Sequence, residues 1–156
     1  EQLKQIVHDS QLNGSAMSLL LVDELGKVYG VRLTLPPGKW HLKHNIVGRI
    51  TTEKWNTKLS ETAYFQSLFV DDKLQGQGWG SKLSRHSMEM LKDQGLKAVV
   101  CHSWKESPGN SSSRYLAKLG FAEIAEHAKF WYPIDYSCTR CGKPCVCTAV
   151  EMIRYL

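Results

Sequence analysis

The sequence predicts a mixed α/β protein, with helices packed on the faces of one central sheet. Three observations carry that expectation. Apolar runs of strand length recur along the chain, separated by turns containing Gly or Pro. Two segments, residues 81–94 and 111–119, place their apolar residues at helical spacing, and each is closed by a glycine, Gly95 and Gly120. The resulting order is helix, two strands, strand, helix, strand, helix, two strands, a sequence of elements that layers helices on a sheet.

The elements follow in turn. Residues 1–12 read as a helix with Leu3, Ile6, Val7 and Ser10 on one face, stopped by Asn13-Gly14. Residues 18–22 and 28–35 read as the two strands of a hairpin, ended by Pro36-Pro37-Gly38. Residues 39–61 hold Trp40, His41, His44 and Trp55 without a sustained period. They read as a long loop with a short helical or extended piece, and such stretches inside compact domains are often functional. Residues 62–70 form a strong strand signal, and 71–80 a glycine-rich turn. The following helix carries Leu83, Ser87, Met90 and Leu91 in register. Residues 96–102 read as a strand around Ala98-Val99-Val100-Cys101, and 107–110 as a loop before the short helix. Residues 123–132 and 148–156 complete the strands, joined by a cysteine-rich segment at 138–147.

Composition bounds the function classes. At 156 residues the chain has the length of one domain, 1–156, with the cysteine-rich hairpin inside it. Its 42% hydrophobic and 22% charged residues are ordinary for a globular protein and exclude disorder as the main state. No apolar run has the length of a membrane span, and no secretory h-region opens the chain, so a cytoplasmic protein without a membrane partner is expected. The chain begins at Glu1 rather than methionine, which leaves open whether native residues precede it. Twenty Lys and Arg against 15 Asp and Glu give a net charge of +5, which suits an anionic partner. The excess is thinly spread and the aromatics are not interleaved with the cations, which argues against nucleic acid and leaves a phosphate-bearing cofactor.

That cofactor has a candidate seat. Gln75-Gly76-Gln77-Gly78-Trp79-Gly80-Ser81 lies between a strand and a helix. Glycines let a backbone approach a ligand, and a helix N-terminus leaves N–H groups unpaired, so together they form an anion cradle suited to a pyrophosphate. A Walker loop is absent, and the glycine spacing does not fit G-x-G-x-x-G.

The run from Val70 through Gln75-Gly76-Gln77-Gly78-Trp79-Gly80 resembles the acyl-CoA motif of the GNAT acyltransferase superfamily. A second signature agrees: the strand Ala98–Cys101, a loop with Asn110, and Tyr115-Leu-Ala-Lys-Leu-Gly120-Phe121. The resemblance covers about 64–132 and implies a mostly antiparallel sheet, splayed at the cofactor site and flanked by helices. It implies an acyl-CoA N-acyltransferase, moving acetyl from acetyl-CoA directly to an amine on a small molecule or protein. By the same resemblance, backbone groups of Leu68, Phe69 and Val70 would pair with the pantetheine arm and the thioester carbonyl. Amides of Gln75, Gly76, Gln77, Gly78, Trp79, Gly80 and Ser81 would hold the pyrophosphate, with Asn110 and Ser111 beside the pantetheine.

Catalytic groups follow the resemblance less closely. The tyrosine that serves many relatives as general acid falls at Leu116 here; Tyr115 stands one residue earlier, about 100° round a helix. It reads as the acid or as a packing or substrate contact. The glutamate base of some relatives falls at Tyr64, and the nearest carboxylate, Glu61, reads as a solvated strand end. His102 reads as a proton acceptor or as an ordinary satisfied histidine, and Cys101 as a core thiol. The alternative function is a non-catalytic CoA-binding or zinc-dependent interaction module on the same fold.

Cys138, Cys141, Cys145 and Cys147 place four thiols within ten residues, with Gly142 and Pro144 between them. Four thiolates can close round one tetrahedral zinc, leaving no open position, so the metal would be structural. Free thiols and oxidised pairs are the other readings of the same spacing.

Overall fold

The computed structural model describes residues 2–156, with side chains from Lys4 onward; the part of Leu3 in the first helix face lies outside that description. The elements are α1 (Gln2–Asp9), β1 (Gln11–Leu12), β2 (Ser15–Ala16), β3 (Leu19–Val22), β4 (Val28–Leu35), β5 (Thr62–Val70), α2 (Trp79–Asp93), β6 (Ala98–Trp104), α3 (Ser111–Lys118), β7 (Ala122–His127) and β8 (Ala149–Tyr155). Six strands form one sheet in the order β3-β4-β5-β6-β8-β7, while β1 and β2 make a separate small hairpin.

All neighbours in the main sheet are antiparallel except β5 and β6. That parallel pair is short: Thr62 to Phe65 match Ala98 to Cys101, and pairing stops there. Beyond it β5 stays with β4 as far as Val70, and β6 stays with β8 as far as Trp104. The sheet therefore forks after Phe65 and Cys101. A register shift sets the fork's position. Leu33 faces Ser67 and Thr34 faces Phe65, so Gln66 is an extra residue on β5; such a bulge bends its strand.

Strand alternation divides the core into two layers. Phe65, Val99, Cys101 and Met152 face α2 and α3, where Leu91 and Leu116 cover them. Tyr64, Val100, Ala149 and Ile153 face the other way, under Leu35, Trp40, Ile46, Trp55 and Phe130. The second layer is thus roofed by irregular chain. Residues 36–61 hold only two short 3-10 turns, Thr52–Lys54 and Leu59–Glu61. They are pinned by indoles: Trp40 stacks on Tyr64 at 5.0 Å between ring centroids and donates to the Thr62 carbonyl at 3.2 Å.

Three sequence expectations shift. The first helix ends at Asp9, and residues 11–16 turn into the small hairpin. Its expected face is not uniformly buried, since Ser10 is buried and Val7 exposed. The strand expected over 123–132 ends at His127, because Lys129 takes a positive φ of 54° and the chain turns to bury Phe130.

Candidate active site and cysteine cluster

The glycine-rich turn is built by its own side chains. The Asp71 carboxylate accepts from the Lys73 N–H at 3.0 Å, and the Gln75 amide donates to the Val70 carbonyl at 3.0 Å and to Asp72 at 2.8 Å. Gly76 and Gly78 have φ of 74° and 83°, in the left-handed region that glycine occupies without a steric penalty. Gly80 serves differently: a Cβ there would lie 3.1 Å from Leu68, so its bareness brings α2 against β5. The first helical bond of α2 runs from Lys82 N to Gly78 O, which leaves the N–H groups of Trp79, Gly80 and Ser81 without partners inside the helix.

These elements border a cavity of about 990 Å³ on the α2 and α3 face of the fork. Of the residues the sequence singled out, Leu68, Val70, Gln75, Gly76, Gly78, Trp79, Gly80, Ser81, Ser111, Tyr115 and His102 line it. Phe69, Gln77 and Asn110 do not. The Phe69 side chain is 60% exposed on the opposite face, beside Val31, and can reach the cleft only through its backbone. The Gln77 amide donates to the Lys73 carbonyl, and Asn110 is an exposed residue with φ of 54° at the start of α3.

Tyr115 reaches from α3 to the first turns of α2. Its hydroxyl donates to the Gly80 carbonyl at 2.9 Å and lies 2.7 Å from Ser84 Oγ. Leu116, the next residue, is buried in the core. The inner wall of the cavity carries a residue that sequence reading missed. Arg32 of β4 is 4% exposed, with its guanidinium over the Phe65 ring at 4.3 Å and its Nε and Nη2 donating to Ser84 Oγ at 3.2 and 2.9 Å. Among the described residues no carboxylate pairs with it. Burial pulls its ionisation below the usual arginine value, with Tyr115 opposing. The available signal was a cation at an inward position of an apolar strand.

A second cavity, about 450 Å³, lies on the other face. Gln66, Ser67 and His102 line both, so the two cavities share a wall at the fork. Tyr64, Phe130 and Trp131 form part of the second one's wall. His102 is stacked on Phe130 at 4.2 Å and fully engaged. Its Nε2 faces the Arg49 carbonyl at 2.8 Å and must donate, so Nδ1 accepts from the Tyr64 hydroxyl at 3.0 Å. Burial drops its pKa to about 4, which keeps the ring neutral near pH 7. Burial also pushes the Tyr64 phenol well up and the Cys101 thiol up to about 12.

Glu151, in the middle of β8, is a second residue missed from sequence. It is fully buried and accepts from Thr51 N and Oγ1, from Trp55 Nε1 at 2.8 Å and from His127 Nε2 at 2.7 Å. Donor atoms of His102, His127 and Glu151 lie within 4.8 Å of one another, but those bonds already occupy them. The carboxylate ties residues 51–55 to the sheet.

The four clustered cysteines converge. All four Sγ atoms lie within 4.8 Å of one another, with separations of 3.8, 3.8 and 3.6 Å among them. A tetrahedron with Zn–S bonds of about 2.3 Å has edges of about 3.8 Å. Cys138 and Gly142 exchange backbone hydrogen bonds at 2.9 Å, and the Arg140 and Val146 N–H groups point at Cys138 and Cys141 sulfurs at 3.4 and 3.3 Å. No disulfide is formed. Trp104 and Trp131 pack against the sulfurs, and Phe130 N donates to the Cys147 carbonyl at 3.1 Å. The cluster therefore stands directly behind the wall of the second cavity.

The acetyltransferase (GNAT) family model matches residues 20–121. The chain belongs to this family, and its forked sheet flanked by helices is the GNAT fold. Comparison with curated proteins finds no match. Among solved structures, a GCN5-related N-acetyltransferase from Kribbella flavida is 16% identical with a TM-score of 0.64, over 100% of this chain and 77% of that one. The ribosomal-protein-S18-alanine N-acetyltransferase from Escherichia coli is 17% identical with a TM-score of 0.59, over 98% and 86%. A Bacillus anthracis acetyltransferase solved in complex with acetyl coenzyme A is 11% identical with a TM-score of 0.61, over 89% and 61%. No helix among the described residues is long and apolar enough to cross a membrane.

Proposed function

We propose that this protein is an acetyl-CoA-dependent N-acyltransferase, transferring acetyl directly to an amine that enters from the opposite face of the sheet. One observation carries the reading: the cavities on the two faces share Gln66, Ser67 and His102 at the fork, so donor and acceptor would meet through that gap. In this reading the turn and the start of α2, residues 75–81, hold the coenzyme phosphates with backbone N–H groups. Those groups need no positive side chain to favour an anion. Leu68, Phe69 and Val70 pair with the pantetheine arm through their backbone, and Ser111 borders it from α3, with Asn110 shaping the approach. An N–H of β5 near the bulge stabilises the oxyanion as the amine attacks.

Attack requires a neutral amine. His102 is a poor base, because both ring nitrogens are engaged and its pKa lies near 4. Water in the fork takes the proton, and His102 with Tyr64 shapes the acceptor cavity. Tyr115 is the group that can give a proton to the departing sulfur.

Cys138, Cys141, Cys145 and Cys147 fit a structural zinc by donor type, by sulfur spacing and by the N–H groups aimed at two of the sulfurs. Bound there, the ion would crosslink the segment that backs the acceptor cavity. Unpaired thiols of this kind fit a cytoplasmic setting.

Binding heat with acetyl-CoA, followed by thiol release against a panel of amines, tests the function. Binding with release is expected; binding without release for every amine favours a non-catalytic module. Metal analysis before and after chelation tests the zinc: about one equivalent per chain is expected, and metal-free protein with unchanged folding contradicts it.

A further inference from the structure

Arg32 poses a question that coenzyme binding alone does not answer. A cation taken out of water without a carboxylate is costly, yet β4 places one 4% exposed at the inner wall of the donor cavity. Its surroundings do not neutralise it. The Cys101 thiol beside it is held at about 12 and stays protonated, and its contacts are a ring, Phe65, and two hydroxyls. Its backbone pairs with Leu68 and its guanidinium lies over Phe65, the last residue of β5 paired with β6, while Ser84, which it bonds, lies one helical turn beyond Gly80 and Ser81. The guanidinium thus stands between the apex of the fork and the first turns of α2.

The hydrogen bonds around it have a fixed direction. A guanidinium only donates, so Ser84 Oγ accepts from Arg32. The Ser84 hydroxyl proton is then directed to Tyr115 Oη, and the Tyr115 proton rests on the Gly80 carbonyl. Each link polarises the next. The chain begins at a buried positive charge and ends at an O–H in the donor cavity.

We infer that Arg32, acting through Ser84 and Tyr115, is a positioning residue that supplies the counter-charge for the coenzyme A sulfur as it leaves. The inference rests on the acyltransferase reading above. The amine lone pair forms the C–N bond while the C–S pair moves to sulfur. The Tyr115 proton passes to that sulfur, the phenolate recovers a proton from cleft water, and the extra proton on nitrogen goes to water. The products are the amide and free thiol, with Tyr115 restored.

The test uses Arg32→Met, Arg32→Lys and Ser84→Ala with two readouts. The first is kcat with acetyl-CoA affinity measured separately. Arg32→Met is expected to lower kcat on the order of 100-fold with affinity unchanged, and Arg32→Lys to recover part of it, since it keeps the charge without the forked bond. The second is the ultraviolet titration of the thiol of bound coenzyme A, with Tyr115→Phe to separate phenolate absorbance. The midpoint is expected to rise by about one pH unit in Arg32→Met. Ser84→Ala should move both readouts the same way, which covers an Arg32 variant that fails to fold. An unchanged kcat, or a loss of affinity that accounts for the whole effect, overturns the inference, as does an unmoved midpoint. A wild-type protein that binds coenzyme A but releases no thiol with any amine fails the acyltransferase reading instead, and the titration still decides whether Arg32 acts on the sulfur.

Discussion

The two faces of the sheet are built by different means. The face proposed to hold the donor is regular structure: a strand, a turn shaped by two left-handed glycines, the start of α2 and one side of α3. The face proposed to receive the acceptor is irregular chain, residues 36–61 and 128–147, held down by a few buried polar or sulfur groups: Trp40, Glu151, His102 and the cysteines. The contrast teaches where each kind of specificity resides. A ligand common to a whole family can be held by backbone N–H groups that nearly any sequence with the right glycines supplies. A particular acceptor is recognised by side chains on segments free to vary.

Perturbations should respect this division. The largest effect is expected on the donor face. Gly78→Glu places a carboxylate in the cradle and forces a non-glycine residue to φ of 83°, so acetyl-CoA binding heat should vanish while thermal unfolding remains cooperative. On the acceptor face, Glu151→Ala removes the acceptor for Thr51, Trp55 and His127 together. Leaving a buried donor without its acceptor costs about 1–3 kcal/mol, read as a shift in denaturant midpoint. Chelation, or Cys147→Ser, should raise the amine KM through Trp131 and leave acetyl-CoA affinity intact; equal losses of both would erase the distinction between the faces.

A pH effect is expected from His102. Its folded pKa near 4 lies below the ordinary value of 6.5, so the unfolded chain binds the proton more readily. The stability it contributes is present above about pH 6.5 and is lost as pH falls toward 4, at most about 3 kcal/mol. His102→Gln should flatten that part of the stability profile. The smallest effect belongs to Phe69→Ser: its side chain points away from the donor cavity, so acetyl-CoA affinity should not change.

The same division decided what could be read in advance. The strand at 62–70, the glycine turn and α2 are governed by local rules of period, φ and capping, and those are written in consecutive residues. The cysteines are close in sequence, so their convergence was readable too. Arg32 and Glu151 were not, because their meaning depends on partners far along the chain: Ser84 for one, Thr51 and Trp55 for the other. Each left one trace, a charge at an inward position of an apolar strand. The course of residues 36–61 depends on indoles burying against a sheet not yet formed when that segment is read alone.

The proposed meeting of donor and acceptor through the fork between β5 and β6 is open to direct measurement. Its most direct test is acetyl-CoA carrying a labelled acetyl group, incubated with the protein and an amine panel, with label and free thiol counted together. Label is expected in an amide of one amine, with one thiol released per amide formed and no transfer with Gly78→Glu. Acetyl-CoA that binds with measurable heat but yields neither thiol nor labelled amide for any amine would contradict it.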